Sequence, residues 1–114
     1  MLTGFGYEHD EKWPANMELF KRFTDITHGV RRLGAAAVDL CHVACGNVEG
    51  YWEFDIKPWD TSAGVLLVQE AGGIVTKMDG SNYSINNPQI LATNGKIHSE
   101  MLKITSSIIK NISV

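Results

Sequence analysis

Between Pro58 and Gly73 the chain reads Trp59-Asp60-Thr61-Ser62-Ala63-Gly64, then Val65-Leu66-Leu67-Val68-Gln69, then Glu70-Ala71-Gly72-Gly73. These small and apolar residues predict a helix that stops on glycine. One carboxylate, Asp60, sits at its mouth, where amide donors are unpaired and the helix dipole suits an anion. Two readings of Asp60 follow. It is an N-cap, a position for which Asp is among the best residues, or an oxygen ligand held on a rigid element and aimed at a hard cation such as Mg²⁺. Spacing alone leaves both open.

The flanking segments alternate between strand and helix signals. Leu2-Thr3-Gly4-Phe5 reads as a short strand, followed by the acidic loop Glu8-His9-Asp10-Glu11. Pro14 suits the first turn of a helix that packs by Met17, Phe20 and Phe23. A second helix begins after Gly34, carries Ala36, Ala37, Leu40, Cys41 and Ala44 on its apolar side, and ends before Gly46. Asp39 and His42, three apart on another face, read as a surface pair. Tyr51 to Ile56 has a period of two, with Trp52, Phe54 and Ile56 on a dry face and Tyr51, Glu53 and Asp55 on an acidic one. Ile74-Val75-Thr76 is a strand leading to an Asp79-Gly80 turn, and Ile90-Leu91-Ala92-Thr93 is a later strand. A last helix is marked by Ile97, Met101, Ile104 and Ile108. The whole is an α/β chain.

At 114 residues this is a single domain, with 44% apolar and 20% charged residues, a globular composition. The formal net charge of −3 argues against a nucleic-acid surface. No run approaches the ~18 apolar residues of a membrane span, and a cytoplasmic location is the expectation. Cys41 and Cys45 read as small core residues rather than a disulfide or a zinc site. Glu49, Glu53, Asp55 and Asp60 are crowded enough that they are either solvated or gathered about something positive.

Several blocks, in order, resemble the C-terminal half of the inositol monophosphatase family: Arg31-Arg32-Leu33-Gly34-Ala35-Ala36-Ala37-Val38-Asp39-Leu40, Val43-Ala44-Cys45-Gly46, Tyr51-Trp52-Glu53, Lys57-Pro58-Trp59-Asp60, Ala63-Gly64 and Glu70-Ala71-Gly72-Gly73. Thr3-Gly4-Phe5 resembles the family's strand-ending motif, and Leu91-Ala92-Thr93-Asn94 its late strand and turn. The resemblance implies the C-terminal half of an αβαβα layered sandwich, a mixed sheet flanked by helices. It implies a Mg²⁺-dependent phosphomonoesterase acting on inositol 1-phosphate or a similar sugar phosphate. Asp60 matches the family's metal-binding Asp, and Glu53 a Glu that accepts hydrogen bonds from substrate hydroxyls. Gly34, Ala35 and Ala36 match the segment lining the substrate pocket, where helix-start amides hold an anion. No catalytic residue in this half is assigned.

Two departures matter. Many relatives carry Ser or Thr where this chain has Ala35, so a hydroxyl contact to substrate is missing. Relatives also have an N-terminal half with a metal-binding Glu and an Asp-Pro-x-Asp-Gly-Thr segment, which nothing here matches; Asp79-Gly80 lacks the flanking residues. The resemblance therefore implies little activity for the isolated chain, a need for the missing half or a second chain, and an uncovered apolar face that drives homo-oligomerisation. Fructose 1,6-bisphosphate and 3′-phosphoadenosine 5′-phosphate are alternative substrates. Arg31 and Arg32 are candidates for a second phosphate, or simply surface residues. A non-catalytic assembly module that retains the fold is the alternative of a different class.

Overall fold

The computed structural model describes residues 1–4 and 12–110, so Phe5 and the loop Glu8-His9-Asp10-Glu11 lie outside the described residues. The chain forms strand β1 (Leu2–Gly4), helix α1 (Lys12–Ile26), strand β2 (Arg31–Arg32), helix α2 (Ala36–Ala44) and strand β3 (Gly50–Phe54). Helix α3 (Pro58–Glu70), strands β4 (Ile74–Thr76) and β5 (Gln89–Thr93) and helix α4 (His98–Ile109) complete it. The strands make one sheet in the order β2-β1-β3-β5-β4. β1 is parallel to β2 and β3, whereas β5 runs against β3 and β4, so the sheet is mixed. In the centre Trp52 lies opposite Thr3 on one side and Leu91 on the other. This is the α/β order that the sequence predicts, with helices on both faces of the sheet.

The short strand β2 is not foreseen, because two consecutive arginines carry no apolar signal. What makes it a strand is its neighbour: Arg31 N–H donates to the Met1 carbonyl at 3.0 Å, and its backbone runs beside β1.

Residues 51–56 correct the expectation of one dry and one acidic face. Trp52 and Phe54 pack with Leu19, Phe23, Leu91 and Met101 beneath α1 and α4, and the Trp52 and Phe23 rings stand 4.8 Å apart. Tyr51 is equally buried on the opposite face, with Leu40, Val65, Val68 and Ile90 beneath α2 and α3. A strand in the middle of a sheet covered by helices on both sides has no wet face. Asp55 then adopts a left-handed φ of 61°, a conformation Asp tolerates. That breaks the alternation, so Ile56 joins the Tyr51 core instead of the Trp52 core.

The helices settle accordingly. The inward face of α1 is Ala15, Asn16, Leu19 and Phe23, with Phe20 packed at its edge and Met17 only half-buried. Asn16 is polar because it has buried work to do: it accepts from the Trp52 indole N–H at 2.8 Å and donates to the Gly4 carbonyl at 3.3 Å. On α4, Met101 is buried while Ile97, Ile104 and Ile108 pack around it, as their spacing predicts. His98 bridges Thr76 and Thr93 hydroxyls at 2.8 and 2.9 Å, tying α4 to β4 and β5.

Helix α2 departs from the sequence reading twice. Cys41 and Cys45 are exposed free thiols, not core residues. The inward positions are instead Asp39, Leu40 and Val43, because α3 approaches so closely that a Cβ on Gly64 would stand 2.6 Å from Leu40 Cβ. Asp39 and His42 do not form a surface pair either. His42 Nδ1 meets the Asn47 side-chain amide at 3.1 Å, while Asp39 is fully buried with neither oxygen hydrogen-bonded among the described residues.

Burial, reinforced by the negative charge of Glu53, pushes the Asp39 carboxyl up to about 7. The folded chain therefore holds a proton there while the unfolded chain ionises near the ordinary 3.8. Stability consequently falls by roughly 1.4 kcal/mol per pH unit as pH rises through this window and is flat above it. Asp39→Asn is expected to remove that slope and to raise stability at pH 8 by a few kcal/mol, on the order of 2–4. Urea unfolding of both proteins at pH 4.5 and pH 8 measures this; equal slopes for the two would refute it.

Candidate active site

Neighbouring strands β1 and β3 are parallel, yet the chain leaves β3 for α3 on one face of the sheet, while α1, which follows β1, covers the other. Where successive parallel strands part in this way, a crevice opens beyond their C-terminal ends, the usual place for a ligand in an α/β sheet. A cavity of about 170 Å³ occupies it, lined by Gly4, Arg32, Gly34, Ala35, Ala36, Glu53 and Asp60. All five residues singled out from the sequence, Gly34, Ala35, Ala36, Glu53 and Asp60, thus meet around one space. Gly4 and Arg32 join them.

Asp60 is not the N-cap of α3. Lys57 holds that position, with extended backbone, and Asp60 is the third helical residue. Its N–H donates to the Lys57 carbonyl at 2.9 Å, and its Oδ2 accepts from the Lys57 N–H at 3.1 Å. The N-cap reading is thus corrected: Asp60 closes the helix start from the third helical position through one oxygen, and its side chain lines the cavity. Next to it, fully buried Thr61 shares a 2.9 Å hydrogen bond with the Tyr83 hydroxyl, which pins the start of α3 to the β4–β5 connection.

Glu53 is held as firmly. Tyr51, two residues earlier on the same face of β3, donates its hydroxyl to Glu53 Oε1 at 2.6 Å. On the adjacent strand Gly4 supplies the room, since a Cβ there would collide with the Glu53 carboxylate. Burial pushes the Glu53 carboxyl above its usual range; the Tyr51 hydrogen bond opposes this, the Asp60 charge adds to it, and Arg32 offsets it. The Tyr51 phenol is raised by burial and by Glu53, so it remains a donor.

Ala35 precedes α2 with extended backbone and offers no side-chain cap, so the first amides of α2 are left to the cavity rim. The N-termini of α2 and α3 thus converge on one space with Arg32, a combination that favours an anion. Arg31 lines a different cavity of about 420 Å³ with Met1, His28 and Val48. The two arginines diverge because successive residues of a strand point to opposite sides.

The remaining acids disperse. Asp55 is paired with Lys12 at 2.6 Å, and Glu49 lies at the far end of β3, where its carbonyl accepts from Asn94 N–H at 3.0 Å. Among the described residues no three His, Cys, Asp or Glu side chains gather as a metal site. Gly4 and Tyr51 are both visible in the sequence blocks quoted above, and the period-two pattern already puts Tyr51 on the Glu53 face; the approach of Gly4 to Glu53, by contrast, depends on the β1–β3 register, which no local signal encodes.

The family model described as the inositol monophosphatase family matches residues 1–110. The chain is 56% identical over 112 residues to the chloroplastic phosphatase IMPL1 of Arabidopsis thaliana, covering 98% of this chain and 30% of that protein. It is 50% identical over 101 residues to the inositol-1-monophosphatase of Synechocystis sp., covering 89% and 35%. The solved inositol monophosphatase from Anabaena (Nostoc) sp. superposes with a TM-score of 0.88 at 48% identity, over 94% of this chain and 44% of that one. This chain thus spans about a third of the curated relatives it matches. Sequence blocks, sheet order and the cavity at the helix N-termini agree, and the chain belongs to the inositol monophosphatase family.

Proposed function

We propose that this chain forms one wall of a Mg²⁺-dependent phosphomonoesterase site that acts on inositol 1-phosphate or a similar sugar phosphate. The observation that carries the reading is the convergence of Asp60, Glu53, Arg32 and the α2 N-terminus on one cavity. The α2 amides and Arg32 bind and orient the phosphate oxygens. Glu53, held by Tyr51, accepts hydrogen bonds from ring hydroxyls. Asp60 fits a share of a magnesium site, because Mg²⁺ takes one or two carboxylates along with waters and substrate phosphate oxygens. When bound, the ion lowers the pKa of a water and neutralises charge on the phosphate and the leaving oxygen.

The cavity favours a monophosphate. Arg31 is turned away, so among the described residues a second phosphate would find only Arg32, and the described lining includes no aromatic ring for an adenine base. One carboxylate does not make a tight site, so the 114-residue chain by itself turns over little substrate. A non-catalytic assembly role is the competing reading; the Haemophilus influenzae protein named Nus factor SuhB is 36% identical over 102 residues.

Asp60→Asn separates the two. Asn keeps an oxygen for the Lys57 amide, so the unfolding midpoint is expected to change little. Hydrolysis of inositol 1-phosphate should fall at least a hundredfold when the chain is completed by the N-terminal moiety of the Anabaena enzyme. Unchanged turnover in a phosphate-release assay would defeat the proposal. Gly4→Ala displaces the Glu53 carboxyl and should raise KM for inositol 1-phosphate about tenfold or more, with a smaller effect on kcat. Steady-state kinetics that show kcat falling at constant KM would contradict the role given to Glu53.

A further inference from the structure

The connection between β4 and β5, residues 77–88, reaches the cavity's end of the sheet by topology. β5 runs against both β3 and β4, so β4 ends where β3 ends, at the end from which α3 departs. The connection is braced from within: Lys77 N–H donates to the Ser81 carbonyl at 2.9 Å, Ser84 N–H to Asn87 Oδ1 at 2.8 Å, and Asn87 N–H to the Ser84 carbonyl at 2.9 Å. Its first part belongs to the core beneath α1 and α4. There Met78 is fully buried, its N–H donates to Gln89 Oε1 at 2.6 Å, and its carbonyl accepts from the Thr105 hydroxyl at 2.6 Å. Its second part crosses to the other core, where Tyr83 packs at the edge of the residues beneath α2 and α3. From this footing it holds the β3–α3 segment twice. The Pro88 carbonyl accepts from Ile56 N–H at 3.2 Å, and the Tyr83 hydroxyl meets Thr61 Oγ1 at 2.9 Å. These two contacts bracket Lys57 and Asp60.

We infer that Tyr83 is a positioning residue for Asp60: through Thr61 it fixes the first turn of α3, and with it the place of the carboxylate on the cavity wall. Tyr83 is not among the described residues that line the cavity, so its hydroxyl acts on the neighbouring turn and not on a ligand. The tether from Lys57 N–H to Asp60 Oδ2 lies within that turn, and the Lys57 carbonyl accepts from Asp60 N–H. Thr61 is fully buried, and without the Tyr83 hydroxyl its own would lose this partner. A threonine hydroxyl so freed turns back on the carbonyl four residues earlier, here that of Lys57, and bends the helix. The carboxylate moves with the turn. The inference rests on the proposed function for what Asp60 holds, not for how Asp60 is held. Removing a group that orients a metal ligand typically costs about 10–100-fold in metal affinity or activity.

The test has two arms. In the 114-residue chain, NMR reads the two Hα–Hβ couplings of Asp60, one large and one small while the side chain keeps a single helical rotamer. Tyr83→Phe keeps the ring and removes the hydroxyl; in this variant and in Thr61→Val the couplings should converge. Thr61→Ser, which keeps the hydroxyl, and Ile85→Ala, at an exposed position on the same connection, should retain the parent values. In the chain completed by the N-terminal moiety of the Anabaena enzyme, Tyr83→Phe and Thr61→Val should each raise the Mg²⁺ concentration for half-maximal hydrolysis of inositol 1-phosphate about tenfold, with kcat recovered at saturating Mg²⁺. The double variant should be no worse than the worse single one, because both remove the same bond. Circular dichroism checks that each variant folds; should Thr61→Val not fold, Tyr83→Phe and Thr61→Ser decide the matter. Unchanged couplings in Tyr83→Phe, effects that add in the double variant, or a loss of kcat that Mg²⁺ does not recover would each overturn the inference. A completed chain with no hydrolysis at all would remove the phosphatase reading, and the NMR arm would then decide the positioning of Asp60 by itself.

Discussion

A strand in the middle of a doubly covered sheet can carry charge only where it emerges. Tyr51 and Trp52 are adjacent in sequence and fully buried on opposite sides of β3, each at the centre of its own core. Their burial sets the register with β1 and β5 and forces Glu53 to the strand's exit, beside Gly4. From there the rest of the site follows. The left-handed turn at Asp55 redirects the chain, Lys57 and Asp60 start the next helix at the same end of the sheet, and α2 begins nearby.

The electrostatics of this region are those of carboxyl groups crowded at one corner of the sheet. Glu53 and Asp60 line the same cavity, and Asp39 lies buried close enough to feel Glu53. Each has a different means of persisting. Glu53 has a phenol, Asp60 a backbone amide, and Asp39 a proton. Arg32 is the cation on the cavity wall that offsets the raised Glu53 carboxyl. A further negative group would be repelled from this corner unless a helix N-terminus or a cation met it, which is the condition a phosphate ester requires.

Much of this was legible in the chain. Helix α3, its glycine stop, the carboxylate at its start and the five residues around the cavity all follow from local chemistry and ordered sequence blocks. What was not legible depended on neighbours. Cys41 looked inward until α3, admitted by Gly64, claimed Leu40 as the contact point. Asp39 looked solvated because nothing local says that this carboxyl will be fully buried. Tyr51 looked like the wet side of a strand because alternation assumes one covered face. Ile56 followed the alternation on paper, but the left-handed Asp55 shifts its phase. Strand β2 exists only because β1 offers it a partner.

The bond between Asp60 Oδ2 and the Lys57 amide has a consequence for how that side chain is presented. A carboxylate tethered to the start of its own helix gives up most of its rotamer freedom, so it lines the cavity in one orientation. The entropy of arranging it is lost when the helix forms and not when something arrives to meet it.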